Sequence, residues 1–480
     1  MRGAARLLAL AVVGALVGCA HYPLNAPLAH YAPDAGHRFP AMVIDRPDPA
    51  DELFVCVSFS GGGTRAAAFS YGALLKLRDT RIGRDAAAKS LLDEVDCVAG
   101  ISGGAFTAAY YGLFGRAIFD EFYDAFLVRN IERELALRVA NPVNLIRLAS
   151  PYFSRIDLAA ELYGETVFKG QTFAGLAGRP RPFVILHATN MANGARFEFT
   201  QDEFDFLRSD LTLFPVARAV AASSAFPGLL SPVSLHSFPP PPEFSVPPDV
   251  KNAVAVANRD ANRARYYWAR HRLDSLTTAG KWVHLLDGGL SDNIGLRSIL
   301  AAFDRASGFI RPRINAGHIK RLVVISVNAR TDPPEHLSQR ERSPGLIDVF
   351  MKTATVSMEN LSFDTLDYAV SRQTEREQAQ TNIRACNQSL AQCGAPPRPG
   401  FAREIRTCFV EIDFEALPSP DREWFLNLPT TFALPEPTVR RLIEVAGTLL
   451  DGSADFQKLL RALRGEPTRG AGVGEAGNCS

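Results

Sequence analysis

The sequence predicts an α/β fold in three layers, with a mostly parallel central sheet and helices on both of its faces. Three observations lead to this fold class. Short apolar runs suited to buried strands recur along the chain, helical segments lie between them, and the first two runs each end in a glycine-rich turn. Strands that alternate with helices are typical of parallel sheets covered on both faces.

The first strand is predicted in the run LFVCVSF, residues 53–59, which three glycines and a helical pattern through Leu77 follow. The segment DEVDCVAGISGGAFTAAYYGLF repeats this order of strand, glycine turn and helix. Hydrophobic periodicity then predicts the remaining elements. Strands are expected at 181–190, 281–290, 321–329 and 404–414, and helices at 215–222, 261–275, 343–384 and 438–463. The proline-rich stretch 236–249 is expected to be a surface loop, with a flap near the site as the alternative.

The N-terminus has the pattern of an export signal. Arg2 and Arg6 precede a short apolar segment, and this pattern predicts a signal peptide over residues 1–18. The segment ends in Leu-Val-Gly-Cys, which resembles the bacterial lipobox and implies that Cys19 is lipidated; an ordinary signal peptide with a chance cysteine is the alternative. Ala20 in place of aspartate implies the periplasmic face of the outer membrane, within the bacterial cell envelope. Residues 19–50, rich in Pro and Ala, are predicted to tether the anchor to the globule.

Charge and cysteine usage exclude several classes of function. The formal net charge is +1 and no long run of like charges occurs, which argues against nucleic acid as a partner. Cys56 and Cys97 lie in apolar runs and are expected to be buried thiols. A disulfide is expected between Cys386 and either Cys393 or Cys408. No C-x-x-C or H-x-x-x-H grouping is present, so neither a metal nor a cofactor is expected.

The segment Gly100-Ile101-Ser102-Gly103-Gly104 matches G-x-S-x-G between a predicted strand and a predicted helix. At such a turn this pattern forms a nucleophile elbow, in which the serine hydroxyl stands at the helix N-terminus. The turn Gly61-Gly62-Gly63 follows the preceding strand, and its N–H groups are suited to an oxyanion hole together with that of Gly103.

The same glycine turn also fits the dinucleotide-binding pattern G-x-G-x-x-A, which ends here at Ala66. That interpretation needs a second strand ending in an acidic residue about 20 residues later, and residues 79–90 contain no such strand. A base for the serine is instead predicted at Asp287, which ends an apolar run and precedes Gly288-Gly289.

Together these motifs resemble the patatin-like phospholipase family. The resemblance implies that Gly61 to Arg65 form the oxyanion loop, that Ser102 is the nucleophile and that Asp287 completes a Ser–Asp dyad. It rests on four motifs in family order, the fourth being Ala222-Ser223-Ser224-Ala225-Phe226-Pro227. Gly100, Gly104, Gly288 and Gly289 would support these turns, and Arg65 would order the glycine loop. The chain departs from the family at Ser60 and Ala66, where Asp and Gly are frequent.

The resemblance implies a patatin-like fold over residues 51–330. A mainly helical extension is expected to pack on it over 331–465, followed by a disordered tail over 466–480. The implied activity is hydrolysis of phospholipid or lysophospholipid esters through a covalent acyl-enzyme, with membrane lipid as substrate and anchoring surface.

Two alternatives remain open. The first is a Ser-His-Asp hydrolase that uses His318 or His336, since both histidines follow Asp287 in the chain. His187 and His284 lie in apolar runs and are expected to be core histidines. The second alternative is a non-catalytic lipoprotein that binds lipid with the same fold.

Overall fold

A computed structural model describes residues 20–39, 53–83, 89–179, 181–255, 263–276, 281–304, 310–332, 341, 343–397, 405–465 and 479. Its centre is an eight-stranded sheet. The strands are β1 (Leu53–Phe59), β2 (Val95–Gly100), β3 (Phe183–Asn190), β4 (Arg196–Glu198), β5 (Val233–His236), β6 (Trp282–Asp287), β7 (Arg321–Val327) and β8 (Arg406–Ile412).

The strands lie in the order β8-β7-β1-β2-β3-β6-β5, and β4 pairs with β3 outside this path. The five strands from β8 to β3 are mutually parallel. The strands β4, β5 and β6 form antiparallel ladders at the other side of the sheet. The predicted α/β class with a mostly parallel sheet is therefore confirmed.

Strand β1 shows why the sheet is buried on both faces. Its alternate residues Val55, Val57 and Phe59 belong to one hydrophobic core, and Phe54 and Cys56 belong to a second core on the opposite face. This alternation follows from the two-residue period of a strand. Helices therefore have to cover both faces, which produces three layers.

Helices occur throughout the described chain. The longer ones, of seven residues or more, are Gly63–Asp79, Gly103–Phe114, Ile131–Ala140, Pro142–Leu148, Arg155–Thr166, Gln201–Leu207, Val216–Ser223, Arg263–Leu276, Leu296–Asp304, Ile310–Ala316, Leu346–Gln392, Glu436–Gly452 and Ala454–Leu463. Shorter ones are Ile118–Phe122, Phe173–Ala177, Pro248–Ala253, Gly289–Asp292 and Asp421–Leu426. Within the described ranges, none of these helices combines the length and apolar composition needed to cross a bilayer.

The C-terminal extension is part of the sheet as well as a helical cover. Its strand β8 pairs with β7, as the strand predicted over 404–414 requires. The region predicted as helical from 343 to 384 is one helix of 47 residues, Leu346–Gln392. The helix Glu436–Gly452 packs so closely on Gly63–Asp79 that a Cβ at Gly72 would overlap the backbone of Ile443.

Residues 20–39 do not behave as the predicted tether. Ala26–Pro27 pairs with Ser209–Asp210, and the Ser150 hydroxyl donates to the Ala20 oxygen at 2.6 Å. His37 and Arg38 are both 3% exposed. Because a buried cation needs a partner, Arg38 pairs with Asp205 at 2.7 Å. This part of the chain packs on the globule, while residues 40–52 and the predicted lipidation site Cys19 lie outside the described residues.

The predicted cysteine pairing is wrong. Cys56 and Cys97, expected to be free thiols, form a disulfide, because β1 and β2 place them directly opposite each other. Cys408 forms a second disulfide with Cys479. Cys386 and Cys393 lie near the end of the long helix, where both are exposed and free.

Candidate active site

The turn that carries Ser102 joins β2 to the helix Gly103–Phe114. Ser102 has φ 49° and ψ −117°, in a region that residues with a side chain rarely adopt. A strained serine between a strand and a helix is the geometry of a nucleophile elbow. Ser102 is only 9% exposed, so the residue is largely shielded from water.

The glycine loop after β1 lies directly against this turn. A Cβ at Gly103 would overlap the carbonyl oxygen of Gly63, and a Cβ at Gly61 would lie 3.5 Å from the Ser102 Cβ. Gly63 has φ 60°, and a Cβ there would overlap the backbone of Thr431. The two turns therefore meet at backbone distance, which excludes side chains at Gly63 and Gly103.

The remaining predicted glycines also mark close approaches. A Cβ at Gly100 would lie 2.7 Å from the Gly104 oxygen, and one at Gly104 would lie 2.6 Å from the Ser60 oxygen. A Cβ at Gly288 would lie 2.5 Å from the His187 oxygen, and one at Gly289 would overlap the methyl group of Met358. The long helix of the extension thus reaches the turn that follows Asp287.

The N–H groups beside Ser102 differ in whether they are already bonded. The Gly61 N–H donates to the Asn293 oxygen at 2.9 Å, so this residue, predicted as an oxyanion donor, has its N–H engaged within the protein. Among the described residues, the N–H groups of Gly62, Gly63 and Gly103 have no acceptor. Three donors next to the serine thus remain available for a developing negative charge.

The register of the sheet brings Asp287 to Ser102. Gly100 of β2 pairs with Leu186 of β3, and Asp287 of β6 pairs with Ala188, two residues further along β3. Ser102 likewise lies two residues beyond Gly100. The sequence analysis placed Asp287 at the end of an apolar run in a mostly parallel sheet, and the structure shows that this run, β6, is antiparallel to both of its neighbours. Asp287 is level with the serine because β6 overlaps only the last three residues of β3.

The Asp287 carboxyl lies in a dry environment. The residue is 2% exposed, and its Oδ1 accepts the Gly289 N–H at 2.8 Å. Burial raises the pKa of Asp287 to about 7, although hydrogen bonds from the Gly289 N–H and the Ser102 side chain act to lower this pKa. A carboxylate with a pKa near neutrality is a much stronger base than an ordinary aspartate.

Ser223 connects the two halves of the site, which the sequence analysis did not predict. The Ser102 N–H donates to the Ser223 hydroxyl at 2.9 Å, and the Gly288 N–H donates to the Ser223 carbonyl oxygen at 3.2 Å. The Asp287 N–H donates to the nearby Ala225 oxygen at 3.0 Å. The motif Ala222 to Pro227 indicated this segment, but only the three-dimensional contacts show that it holds both turns.

Arg65 orders the glycine loop by binding the C-terminal part of the chain. It is 3% exposed, and its guanidinium donates to the oxygens of Ala329 at 2.9 Å and Leu428 at 2.8 Å and to the Thr430 hydroxyl at 3.1 Å. Burial without a carboxylate among these partners lowers the pKa of Arg65 to about 9. These contacts join the helix that follows the glycine loop to the C-terminal part of the chain.

The structure does not bring His318 to Ser102. His318 is exposed and lies before the start of β7. The first residue of β7 pairs with the first residue of β1, so His318 lies near the amino ends of these strands, whereas Ser102 follows the carboxyl end of β2. His336 lies outside the described residues. His187 is buried against the Ser298 hydroxyl at 2.5 Å, and burial lowers its pKa to about 3. His284 is exposed, contrary to expectation, and contacts the Ser234 hydroxyl at 2.8 Å.

A sequence model described as "Patatin-like phospholipase" matches residues 57–300, which is half of the chain and contains Ser102 and Asp287. The chain belongs to the patatin-like phospholipase family. Membership in this family supports lipid hydrolase activity. Within the described residues, no group of three or more acidic, histidine or cysteine side chains is arranged to hold a metal.

Two solved structures are among those similar to the chain. Human GIVD cytosolic phospholipase A2, in complex with methyl gamma-linolenyl fluorophosphonate, is 14% identical over 88% of this chain and 60% of its own, with a TM-score of 0.36. VipD from Legionella pneumophila is 12% identical over 82% of this chain and 67% of its own, with a TM-score of 0.26. No curated protein matches the sequence.

Proposed function

We propose that this patatin-like phospholipase hydrolyses phospholipid or lysophospholipid esters with Ser102 as nucleophile and Asp287 as general base. The observation that carries the proposal is the contact between a strained serine and a buried aspartate whose pKa is about 7. The glycine loop lies against the turn of Ser102, and the N–H groups of Gly62, Gly63 and Gly103 have no acceptor among the described residues.

In the proposed reaction the Ser102 hydroxyl oxygen attacks the ester carbonyl carbon while Asp287 accepts the hydroxyl proton. The N–H groups of Gly62, Gly63 and Gly103 donate to the resulting oxyanion; Gly61 is left out because its N–H is engaged. Collapse breaks the ester bond, and Asp287 returns the proton to the departing alcohol. Water then attacks the acyl-serine, Asp287 takes its proton, and Ser102 regains a proton as the fatty acid leaves.

The test measures fatty-acid release from phospholipid, lysophospholipid and a soluble short-chain ester. Activity should be lost in Ser102→Ala and Asp287→Asn and retained in the His318→Ala, His336→Ala double variant. Loss in the histidine variant would instead support the triad. A fluorophosphonate should label the wild type and leave Ser102→Ala unlabelled. Absence of both labelling and activity would support the non-catalytic lipoprotein.

We also propose that Cys19 is lipidated and holds the enzyme on the periplasmic face of the outer membrane. Two observations support this proposal. The chain reads Leu-Val-Gly-Cys up to Cys19. The oxygen of the next residue, Ala20, accepts a hydrogen bond from the Ser150 hydroxyl, so the chain contacts the globule directly after Cys19. Exposed rings of Tyr152 and Trp282 flank this point through contacts with His21 and Tyr22. Aromatic rings of this kind suit a membrane interface. Mass spectrometry of the mature N-terminus, with Cys19→Ser as control, should detect the acyl groups, and an unmodified cysteine would contradict the proposal.

A further inference from the structure

A cavity of about 630 Å³ lies next to the turn that follows Asp287, but neither Ser102 nor Asp287 lines it. Its walls come from the turn between β3 and β4 and from the helices Arg263–Leu276, Leu296–Asp304 and Leu346–Gln392. Leu290 and Ser291 also line it. Both belong to the short helix Gly289–Asp292, which begins two residues after Asp287. The volume lies within the range of about 300–1,000 Å³ that is usual for small-molecule sites.

Much of the cavity wall is apolar. Side chains from different elements supply this surface, among them Phe197, Leu207, Val283, Leu300 and Leu361. Trp268 adds an aromatic face, against which the guanidinium of Arg272 lies at 4.1 Å. A hydrocarbon chain gains free energy by transfer from water to such a surface.

The charged part of the wall includes a cation that has no carboxylate at ion-pair distance among the described residues. Arg272 pairs with the Glu203 carboxylate at 2.6 Å, and Arg196 pairs with the Glu198 carboxylate at 3.0 Å. Arg297 is different, because no carboxylate of the described residues lies within ion-pair distance of its guanidinium. Its Nε donates to the Thr365 hydroxyl at 2.7 Å, which fixes the guanidinium in the wall.

Two acidic side chains lie in the wider surroundings of Arg297. The Asp292 carboxylate accepts the backbone N–H of Arg297 at 2.9 Å, and Asp364 lines the cavity beyond ion-pair distance from the guanidinium. Burial lowers the pKa of Arg297 even though both acids act to raise it. The guanidinium is thus a partly dehydrated cation that would gain from an anionic ligand.

We propose that this cavity is a second lipid site, which binds an amphiphile with one acyl chain and an anionic group. The apolar wall holds the chain, and Arg297 binds the carboxylate or phosphate. Such molecules are produced when a phospholipid is hydrolysed, as fatty acid or as lysophospholipid. In this respect the inference extends the proposed function, but binding itself requires no catalysis.

The binding test uses the full-length Ser102→Ala variant, together with the full-length wild type before and after treatment with a fluorophosphonate. Laurate, lauroyl lysophosphatidic acid and neutral monolauroylglycerol are each titrated below their micelle concentrations, with Trp268 as fluorescent reporter and calorimetry as a second readout. Saturable 1:1 binding of the anionic compounds is expected, at least about tenfold tighter than that of the neutral one. The tighter of the two anions identifies the source of the ligand.

Three variants separate the cavity from general surface effects. Arg297→Gln should reduce the affinity for the anions about tenfold, so that they bind about as weakly as the neutral compound. Ala301→Phe should fill the cavity and weaken the binding of all three compounds. Arg270→Gln is the matched control, because this exposed arginine lies on a cavity helix but pairs outward with Asp274 at 3.2 Å. Circular dichroism checks that each variant is folded.

The results that would overturn the inference are specific. No binding by the wild type, or binding that Arg297→Gln and Ala301→Phe leave unchanged, would rule out the cavity as a site. Binding that occurs with free Ser102 and disappears after fluorophosphonate treatment would place the ligand in the catalytic site instead. Fluorophosphonate labelling and release of product from a short ester report on the proposed function separately, so the two proposals can fail independently.

Discussion

The pKa of Asp287 leads to a prediction that links activity to stability. Burial holds this pKa at about 7, against an ordinary value of 3.8, a difference of about 3 pH units. If Asp287 is the base, only its ionised form supports attack by Ser102. For a soluble short-chain ester, kcat/KM should therefore rise about tenfold per pH unit below pH 6, from about 1% of its plateau at pH 5 to about half at pH 7.

The same shift has a cost in stability. Between pH 4 and 7 the native state holds a proton on Asp287 that the unfolded state releases, so the contribution of this group to stability falls as pH rises through that window. At 1.36 kcal/mol per pH unit, the buried carboxylate costs about 4 kcal/mol at pH 8. Asp287→Asn keeps an oxygen for the Gly289 N–H and removes the charge. It should be inactive, yet more stable than wild type by up to about 4 kcal/mol at pH 8 and nearly equal to it at pH 4.

Urea unfolding at several pH values, together with the pH–rate profile, measures both effects. Asp120→Asn is the control, because it removes an exposed carboxylate and should leave the pH dependence of stability close to that of the wild type. A kcat/KM that stays constant between pH 5 and 8 would refute the role of Asp287 as base. An Asp287→Asn variant destabilised equally at every pH would refute the claim that the carboxylate is desolvated.

Three further predictions concern the residues around this pair. Ser223→Ala should lower kcat and fluorophosphonate labelling at least about tenfold with little change in KM. Ser224→Ala, whose hydroxyl donates to the Val220 oxygen in the preceding helix, should stay near wild type in both measurements. Gly103→Ala should abolish labelling even where circular dichroism shows a folded protein, because its Cβ has no space against Gly63. Arg65→Lys should destabilise the protein by roughly 1–3 kcal/mol in urea unfolding, since an ammonium cannot serve three acceptors spread around a guanidinium; unchanged stability would contradict this.

The sequence predicted those parts of the structure that depend on short stretches of chain. Strand β1 begins and ends where the apolar run does, and the elbow at Ser102 follows from glycines within two residues of it. Both signals are local, because strand burial and turn geometry depend mainly on neighbouring residues. The prediction of the sheet class is a consequence of the same alternation.

Features that depend on distant parts of the chain were missed or predicted incorrectly. The direction of β6 depends on its pairing with β3 and β5. Its apolar sequence fits a parallel and an antiparallel strand equally well and therefore does not indicate the direction. The Cys56–Cys97 bond requires the two strands to be neighbours in register. Ser223 is one serine in an alanine-rich helix until the fold places it 2.9 Å from the Ser102 nitrogen.

The position of β7 and β8 bears on where this protein can be divided. The family match ends at residue 300, yet β7 lies beside β1, the strand that leads into the glycine loop. A chain shortened to that boundary would leave β1 as an open edge, with unpaired backbone groups available to other molecules. It would also lack Ala329, Leu428 and Thr430, to which the Arg65 guanidinium donates. We therefore expect the segment 57–300 not to fold by itself. Size-exclusion chromatography should detect aggregates of the shortened chain that the full chain does not form.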